Sequence, residues 1–188
     1  VFNKIHVDNS QLKEVLCKEI ELMDLDILPG NYYLKKEYKT HQTGMAIQPD
    51  GIFTSNSVYI MLEAKRIKRS AFNKNQLAKE FFLMTREMKD KIPLLLLVIA
   101  KEPPVMVTGR GRQSIWNEIE DTIEKIYNEA NNHPLSLNQI KELLKSSVGW
   151  ITWDEILVTV KNQLVRYHTN DESTNNSVKV IVKNIANA

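Results

Sequence analysis

This sequence has a single cysteine, a small net charge and no long apolar run. Cys17 is the only cysteine, which excludes an intramolecular disulfide and an all-cysteine zinc site. The formal net charge of +2 gives no overall cationic field, so any contact with nucleic acid has to come from local basic clusters. The sequence also lacks zinc-finger spacing, internal repeats and a phosphate-binding Gly-rich loop.

Membrane insertion and secretion are not expected either. The longest apolar run, residues 93–100, is too short to span a bilayer, and no secretory signal opens the sequence. We therefore predict an intracellular protein without a membrane partner. The 188 residues, 43% of them hydrophobic, suffice for one globular domain with a full core, with or without a small appendage.

The most informative feature is a pair of β-rich segments, 52–54 and 58–62, separated by the turn sequence Ser-Asn-Ser. These segments predict a hairpin. Side chains two positions apart in a strand point to the same face, so Glu63 and Lys65 are expected to project together. Pairing across the hairpin can bring Asp50 beside them. Two carboxylates and one ammonium at a sheet end suit a hard divalent cation and a water to be activated.

Pro49-Asp50 and Glu63-Ala64-Lys65, with twelve residues between Asp50 and Glu63, resemble the motif of the PD-(D/E)xK nuclease superfamily, which has the restriction-endonuclease-like fold. The resemblance implies that Asp50, Glu63 and Lys65 are catalytic. It also implies that Asp50, Glu63 and the carbonyl of Ala64 bind Mg²⁺ or Mn²⁺, while Lys65 orients or helps to deprotonate a water. The expected substrate is DNA, cut at a phosphodiester bond. The alternative is a surface hairpin with a solvated Glu and Lys.

A helix predicted over residues 9–23 carries a further candidate ligand. Its apolar residues fall on one stripe, formed by Leu12, Val15, Leu16, Ile20 and Met23. Glu19 lies in the middle of this stripe, where a carboxylate is costly unless it is paired or bound to metal. Many members of the superfamily carry a Glu on this helix that reaches the metal, so the resemblance implies that Glu19 is a metal ligand. Alternatively, the helix phase drifts and Glu19 lies at the edge of the stripe.

Two basic clusters are candidates for contact with nucleic-acid phosphates. Lys35 and Lys36 precede the Pro-Asp element, and Arg66, Lys68 and Arg69 follow directly on the proposed catalytic end. The alternative for each cluster is a solvated charged face.

Gln76 is a candidate for contact with nucleic acid as well. It lies in a helix predicted over residues 71–89. Some nuclease subfamilies place a Gln in this helix, pointing at the site, and follow it with an aromatic residue four positions later. In this sequence that position is Glu80, with Phe81 one further on, so the chain departs from the pattern.

The element order over residues 9–100 is helix, three strands, helix and strand, which is the core order of the superfamily. Strands are predicted at 31–39, 45–53, 58–65, 94–100 and, as a last edge strand, 178–182. We predict an α/β fold with a restriction-endonuclease-like core, in which helices flank a central mixed sheet. The nuclease core is expected over 1–132 and a mainly helical extension, packed on the core, over 133–188.

The layout looks similar to archaeal Holliday-junction resolvases and to the cleavage domains of some restriction enzymes. It implies a cytoplasmic endonuclease of restriction, phage-defence or resolvase type, from a prokaryote or a phage. Double-strand cutting would favour a homodimer, and the chain could belong to a larger restriction or defence protein. Two alternatives stay open: a catalytically inactive nucleic-acid-binding or scaffolding module on the same fold, and a helical interaction domain in which the motif is accidental.

Overall fold

The computed structural model of the chain describes residues 2–19, 24–26, 32–33, 46–65, 71–130, 133–167 and 169–187. A 3-10 helix, Phe2–Lys4, precedes the first α-helix. The α-helices within the described residues are α1 Ser10–Glu19, α2 Gln76–Glu87, α3 Ile115–Ala130, α4 Leu137–Ser147, α5 Trp153–Arg166 and α6 Glu172–Asn187. The strands there are β1 Asp24–Asp26, β2 Tyr32–Tyr33, β3 Ala46–Ile47, β4 Gly51–Thr54, β5 Val58–Ala64, β6 Ala71–Phe72, β7 Ile92–Ile99, β8 Val105–Val107, β9 Gly111–Gln113 and β10 Val148–Thr152.

A five-stranded mixed sheet, in the order β1-β4-β5-β7-β10, forms the centre of the fold. The pairs β1–β4 and β4–β5 are antiparallel, whereas β5–β7 and β7–β10 are parallel. β7 is buried along almost its whole length because strands flank it on both sides and helices cover both faces. The prediction of an α/β fold with a central mixed sheet flanked by helices is therefore confirmed.

The predicted hairpin is present as β4 and β5, joined by Ser55-Asn56-Ser57. The backbone N–H of Ser55 donates to the carbonyl of Val58 at 2.9 Å. The hydroxyl oxygen of Ser55 accepts from the N–H groups of Ser57 and Val58 at 3.2 and 3.1 Å. A short polar side chain that satisfies turn amides in this way explains why this sequence reverses the chain.

Alternate residues of β5 point to opposite faces of the sheet and enter two separate cores. On one face, Ile60 packs in a cluster with Leu12 and Leu16 of α1. On the other face, Met61 packs in a cluster with residues of α2, α3 and α4. Glu63 lies two positions after Met61 and therefore belongs to the face that α2 covers.

The segment predicted as a mainly helical extension, residues 133–188, also supplies the fifth strand of the central sheet. β10 pairs with β7 in parallel, with Trp150 beside Leu97 in the register. His6, near the start of the chain, bridges to Trp150 on the other side of β10. Pairings between segments this far apart leave no local pattern in the sequence, which is why this strand was not predicted.

The prediction of a last edge strand at residues 178–182 is wrong. These residues lie within α6, which packs against α5. Val178 and Val182 are one helical turn apart, and both are at least partly buried. Tertiary packing has overridden the β-preference of this Val-rich segment.

Other predicted boundaries shift as well. The strand predicted at 45–53 is divided into β3 and β4, because Pro49 has no N–H to donate and interrupts the pairing. The Pro- and Gly-containing segment 101–111, outside the predicted strands, contains β8 and the start of β9. Of the strand predicted at 31–39, only β2 lies in the described part of the chain. Within the described residues, none of the helices is long and apolar enough to cross a membrane.

Gly149 in β10 provides a test of the contact between the start of the chain and the sheet. A Cβ atom at this position would lie 3.0 Å from the carbonyl oxygen of His6 and 3.1 Å from Cβ of Val7. We expect Gly149→Ala to lower the free energy of unfolding by about 1–3 kcal/mol because backbone has to move to make room. Urea denaturation of the two proteins measures this difference.

Gly51→Ala is the matched control for this substitution. A Cβ at Gly51 would meet Leu62 at 3.7 Å, which is ordinary van der Waals contact. The free energy of unfolding should therefore stay within about 1 kcal/mol of the wild type. Equal stability of Gly149→Ala and Gly51→Ala would contradict the close approach of residues 5–7 to β10.

Candidate active site

Asp50 is held at the end of β5 by backbone contacts across the hairpin. Its N–H donates to the carbonyl oxygen of Leu62 at 3.0 Å, which extends the β4–β5 pairing by one position. Its Oδ2 accepts from the N–H of Ala64 at 2.7 Å. The side chain is exposed on its other side, so the carboxylate is fixed in position and still open to solvent.

Glu63 and Lys65 lie beside each other on the face of the sheet that α2 covers. Nζ of Lys65 lies 2.5 Å from Oε1 of Glu63, and Glu63 is only 4% exposed. The ammonium also lies 4.9 Å from the centre of the Phe72 ring, a cation–π distance. The backbone N–H of Lys65 donates to the carbonyl of Val98 at 2.8 Å. This bond anchors the residue to the central strand.

Gln76, the first residue of α2, joins the two charged groups. Its Nε2 donates to Oε1 of Glu63 at 2.6 Å and to Oε1 of Glu80 at 2.8 Å. Its Oε1 accepts from Nζ of Lys65 and from the N–H of Asn73, both at 3.1 Å. These four hydrogen bonds fix the orientation of the Gln76 amide, because its nitrogen faces carboxylates and its oxygen faces donors.

Glu80 lies one turn further along α2 and is 1% exposed. No donor within the described residues reaches its Oε2. Burial raises the pKa of Glu80 well above its usual value, and the negative charge of Glu63 raises it further. Glu80 therefore keeps its proton to a higher pH than an exposed glutamate does, because the site already holds one buried carboxylate.

The electrostatics of Glu63 suit a cation. Burial, and then the negative charge of Asp50, raise the pKa of Glu63, while Lys65 acts in the opposite direction. Among the described residues, the carboxylates of Asp50 and Glu63 thus repel each other, while the ammonium of Lys65 offsets their charge in part. A divalent cation between Asp50 and Glu63 would relieve this repulsion.

The donor atoms of Asp50 and Glu63 also fit a hard cation. Asp50 uses Oδ2 for the hydrogen bond given above, and within the described residues its other oxygen makes none, whereas Glu63 accepts through Oε1 and also interacts with the carboxyl of Glu80. No group of three His, Cys, Asp or Glu side chains in the described ranges is arranged to hold a metal ion. Further ligands would have to come from the carbonyl of Ala64, from water or from outside these ranges.

Four of the sequence-predicted residues thus meet at one end of the sheet: Asp50, Glu63, Lys65 and Gln76. Glu19 is the last residue of α1, and its side chain lies outside the described part of the structure. The basic candidates Lys35, Lys36, Arg66, Lys68 and Arg69 are also outside the described residues. The burial of Glu63 does not fit a solvated surface hairpin, and the five-stranded sheet does not fit a purely helical interaction domain.

Two residues of this site were not predicted. Glu80 was noted only as a departure from an expected aromatic, although its spacing of four from Gln76 places both on one face of a helix. Trp153, the first residue of α5, was not among the predicted site residues. Its indole N–H donates to the carbonyl of Lys65 at 2.7 Å. No sequence signal indicates this contact, because it joins segments 88 residues apart.

Comparison of the chain with protein-family models, with curated proteins and with solved structures gives no match. The likeness to PD-(D/E)xK nucleases therefore rests on the short motif and on the geometry of this site, and it stays a prediction.

The pKa of Glu80 leads to a testable dependence of stability on pH. Folded Glu80 keeps a proton that the unfolded chain releases as the pH rises above the usual value of 4.5. Compared with Glu80→Gln, whose amide imitates the protonated carboxyl, the wild type should lose stability as the pH rises. The loss should reach at most about 1.4 kcal/mol per pH unit and end at the raised pKa.

Urea denaturation of both proteins without divalent metal, from about pH 5 to about pH 8, measures this difference. Because Glu63 and Glu80 interact, the difference between the two proteins reports the proton uptake of this pair. A difference in unfolding free energy that does not change with pH would show that Glu80 titrates normally.

Proposed function

We propose that this chain is a divalent-metal-dependent nuclease with a restriction-endonuclease-like core that hydrolyses phosphodiester bonds in DNA. One observation carries the proposal: Asp50, Glu63 and Lys65 meet at the end of one hairpin of a mixed sheet, and Gln76 bonds to the last two. Two carboxylates beside a partly buried ammonium are groups that suit metal-assisted phosphodiester hydrolysis.

Asp50 and Glu63 would hold Mg²⁺ or Mn²⁺, with the carbonyl of Ala64 and Glu19 as further candidate ligands. When bound, the metal lowers the pKa of a water and neutralises charge that builds up on the phosphate. The hydrogen bond from the N–H of Ala64 keeps the carboxylate of Asp50 in place before any metal arrives. The site is thus preorganised, so little ordering of Asp50 is needed on binding.

Lys65 would place its ammonium beside the attacked phosphate and orient the water. Its side chain has three fixed neighbours: Glu63, Gln76 and the Phe72 ring. An ammonium held in this way stabilises developing negative charge without reorganising during the reaction. Gln76 acts as a positioning residue because it contacts Lys65 and Glu63 rather than the reacting atoms.

A second candidate function is a nucleic-acid-binding or scaffolding module without turnover. It is supported by the 2.5 Å contact between Lys65 and Glu63, which already compensates the buried carboxylate without any metal. In such a module Glu63 and Lys65 would serve stability alone.

Digestion of supercoiled, linear and single-stranded DNA with and without Mg²⁺ separates the two functions. Wild type should cleave only with Mg²⁺. Asp50→Asn retains an acceptor for the N–H of Ala64 but lacks the charge, and Lys65→Met retains an unbranched apolar side chain but lacks the ammonium. We expect each variant to lose about 10²- to 10⁴-fold in rate, the usual contribution of such groups.

Glu142→Gln, at an exposed position of α4, is the matched control and should cleave like the wild type. Urea denaturation of every variant checks that lost activity does not reflect lost folding. Metal-dependent cleavage that survives both Asp50→Asn and Lys65→Met would rule out the proposed site. DNA binding without cleavage by the wild type would favour the second candidate.

A further inference from the structure

A cleft of about 250 Å³ opens next to the candidate active site, between the connection from β3 to β4 and the start of α2. Its polar lining comes from Gln48, Asn73, Lys74, Gln76, Lys79 and Glu80. Gln76 is shared with the candidate active site, because it lines the cleft and bonds to Glu63 and Lys65. Gln48 lies two residues before Asp50. Whatever enters this cleft therefore lies next to the proposed scissile bond.

The cleft has a positive lining. Lys74 is exposed and Lys79 is half-buried, and neither forms an ion pair within the described residues. By contrast, the lysines at positions 18, 65, 125 and 141 each contact a carboxylate. The first turn of α2 forms part of the wall, so the positive end of the helix dipole adds to the two ammonium charges. The lining suits an anion.

Glu80 also lines the cleft, but it is only 1% exposed and its Oε2 is buried from solvent. A group bound in the cleft would therefore meet the lysines and the amides of the lining rather than this carboxyl.

We propose that this cleft binds one nucleotide unit of the DNA strand beside the bond that is cut, with Lys74 and Lys79 contacting its phosphate backbone. The inference rests on the proposed function, since it assigns the neighbouring nucleotide of that substrate. The volume is too small for a duplex, and it accommodates one phosphate with part of its sugar and base. The side-chain amides of Gln48 and Asn73 in the lining can form hydrogen bonds with the sugar or the base of that nucleotide.

Binding of labelled single-stranded and duplex DNA, measured in EDTA over a range of salt concentrations, tests the cleft without any hydrolysis. Lys74→Ala/Lys79→Ala should bind more weakly at low salt. The slope of log affinity against log salt should be less steep by about 0.7 or more, the value for one neutralised phosphate. Lys74→Ala alone, at an exposed position, should shift the slope in the same direction by a smaller amount.

Lys125→Ala/Lys145→Ala removes the same charge from exposed positions of α3 and α4 and should leave the slope as in the wild type. Inorganic phosphate as a competitor, at constant ionic strength, distinguishes a site for free phosphate from a site for a strand. An unchanged slope in Lys74→Ala/Lys79→Ala, or an effect equal to that of the control pair, overturns the proposal. So does loss of phosphate binding with unchanged DNA binding.

The two proposals fail in different ways. If Lys74→Ala/Lys79→Ala reduces the salt slope but the wild type never cleaves DNA, the result supports binding at the cleft and removes the hydrolase. Mg²⁺-dependent cleavage by a wild type whose salt slope does not depend on Lys74 and Lys79 supports the hydrolase and removes the cleft.

Discussion

A buried carboxylate at the end of a central strand is the constraint on which the rest of this site depends. Glu63 is 4% exposed, and removing the partner of a buried charge typically costs about 3–5 kcal/mol. The chain compensates this charge with the ammonium of Lys65 and the amide of Gln76. Each of these partners in turn requires a particular element of the fold to be in place.

Lys65 can reach Glu63 because both follow the same strand, two positions apart, and because the backbone at Lys65 is fixed from two sides. Val98 of β7 accepts its N–H, and the indole of Trp153 donates to its carbonyl. Gln76 reaches Glu63 because α2 packs on that face of the sheet. The central sheet, α2 and the start of α5 therefore all contribute to one set of hydrogen bonds. Asp50 joins it from the other strand of the hairpin.

The parts of this arrangement that depend on local rules could be predicted from the sequence. The two-residue period of a strand places Glu63 and Lys65 on one face. The Ser-Asn-Ser turn predicts the hairpin that brings Asp50 next to them. The four-residue spacing of Gln76 and Glu80 is equally local, yet its meaning depends on Glu63 lying opposite. The motif of some nuclease subfamilies has an aromatic residue at the position of Glu80, so it does not indicate this pair.

Non-local pairing explains what could not be predicted. β10 is a strand of the sheet because it pairs with β7 on one side and with His6 on the other. The sequence around β10 does not indicate either pairing. Residues 178–182 have the composition of a strand but form part of α6, because Val182 is buried in the packed helix. The single Trp153 contact with Lys65 belongs to the same class, since only the assembled sheet brings α5 to the end of β5.

The central claim is that Asp50 and Glu63 share one hard cation. Crystals of the protein soaked in Mn²⁺ and measured at the manganese absorption edge test it most directly. The account predicts one anomalous peak between the two carboxylates, with their oxygens about 2.0–2.6 Å from the ion. A well-occupied manganese site elsewhere on the chain, with Lys65 and Glu63 still paired and no peak beside Asp50, would contradict it.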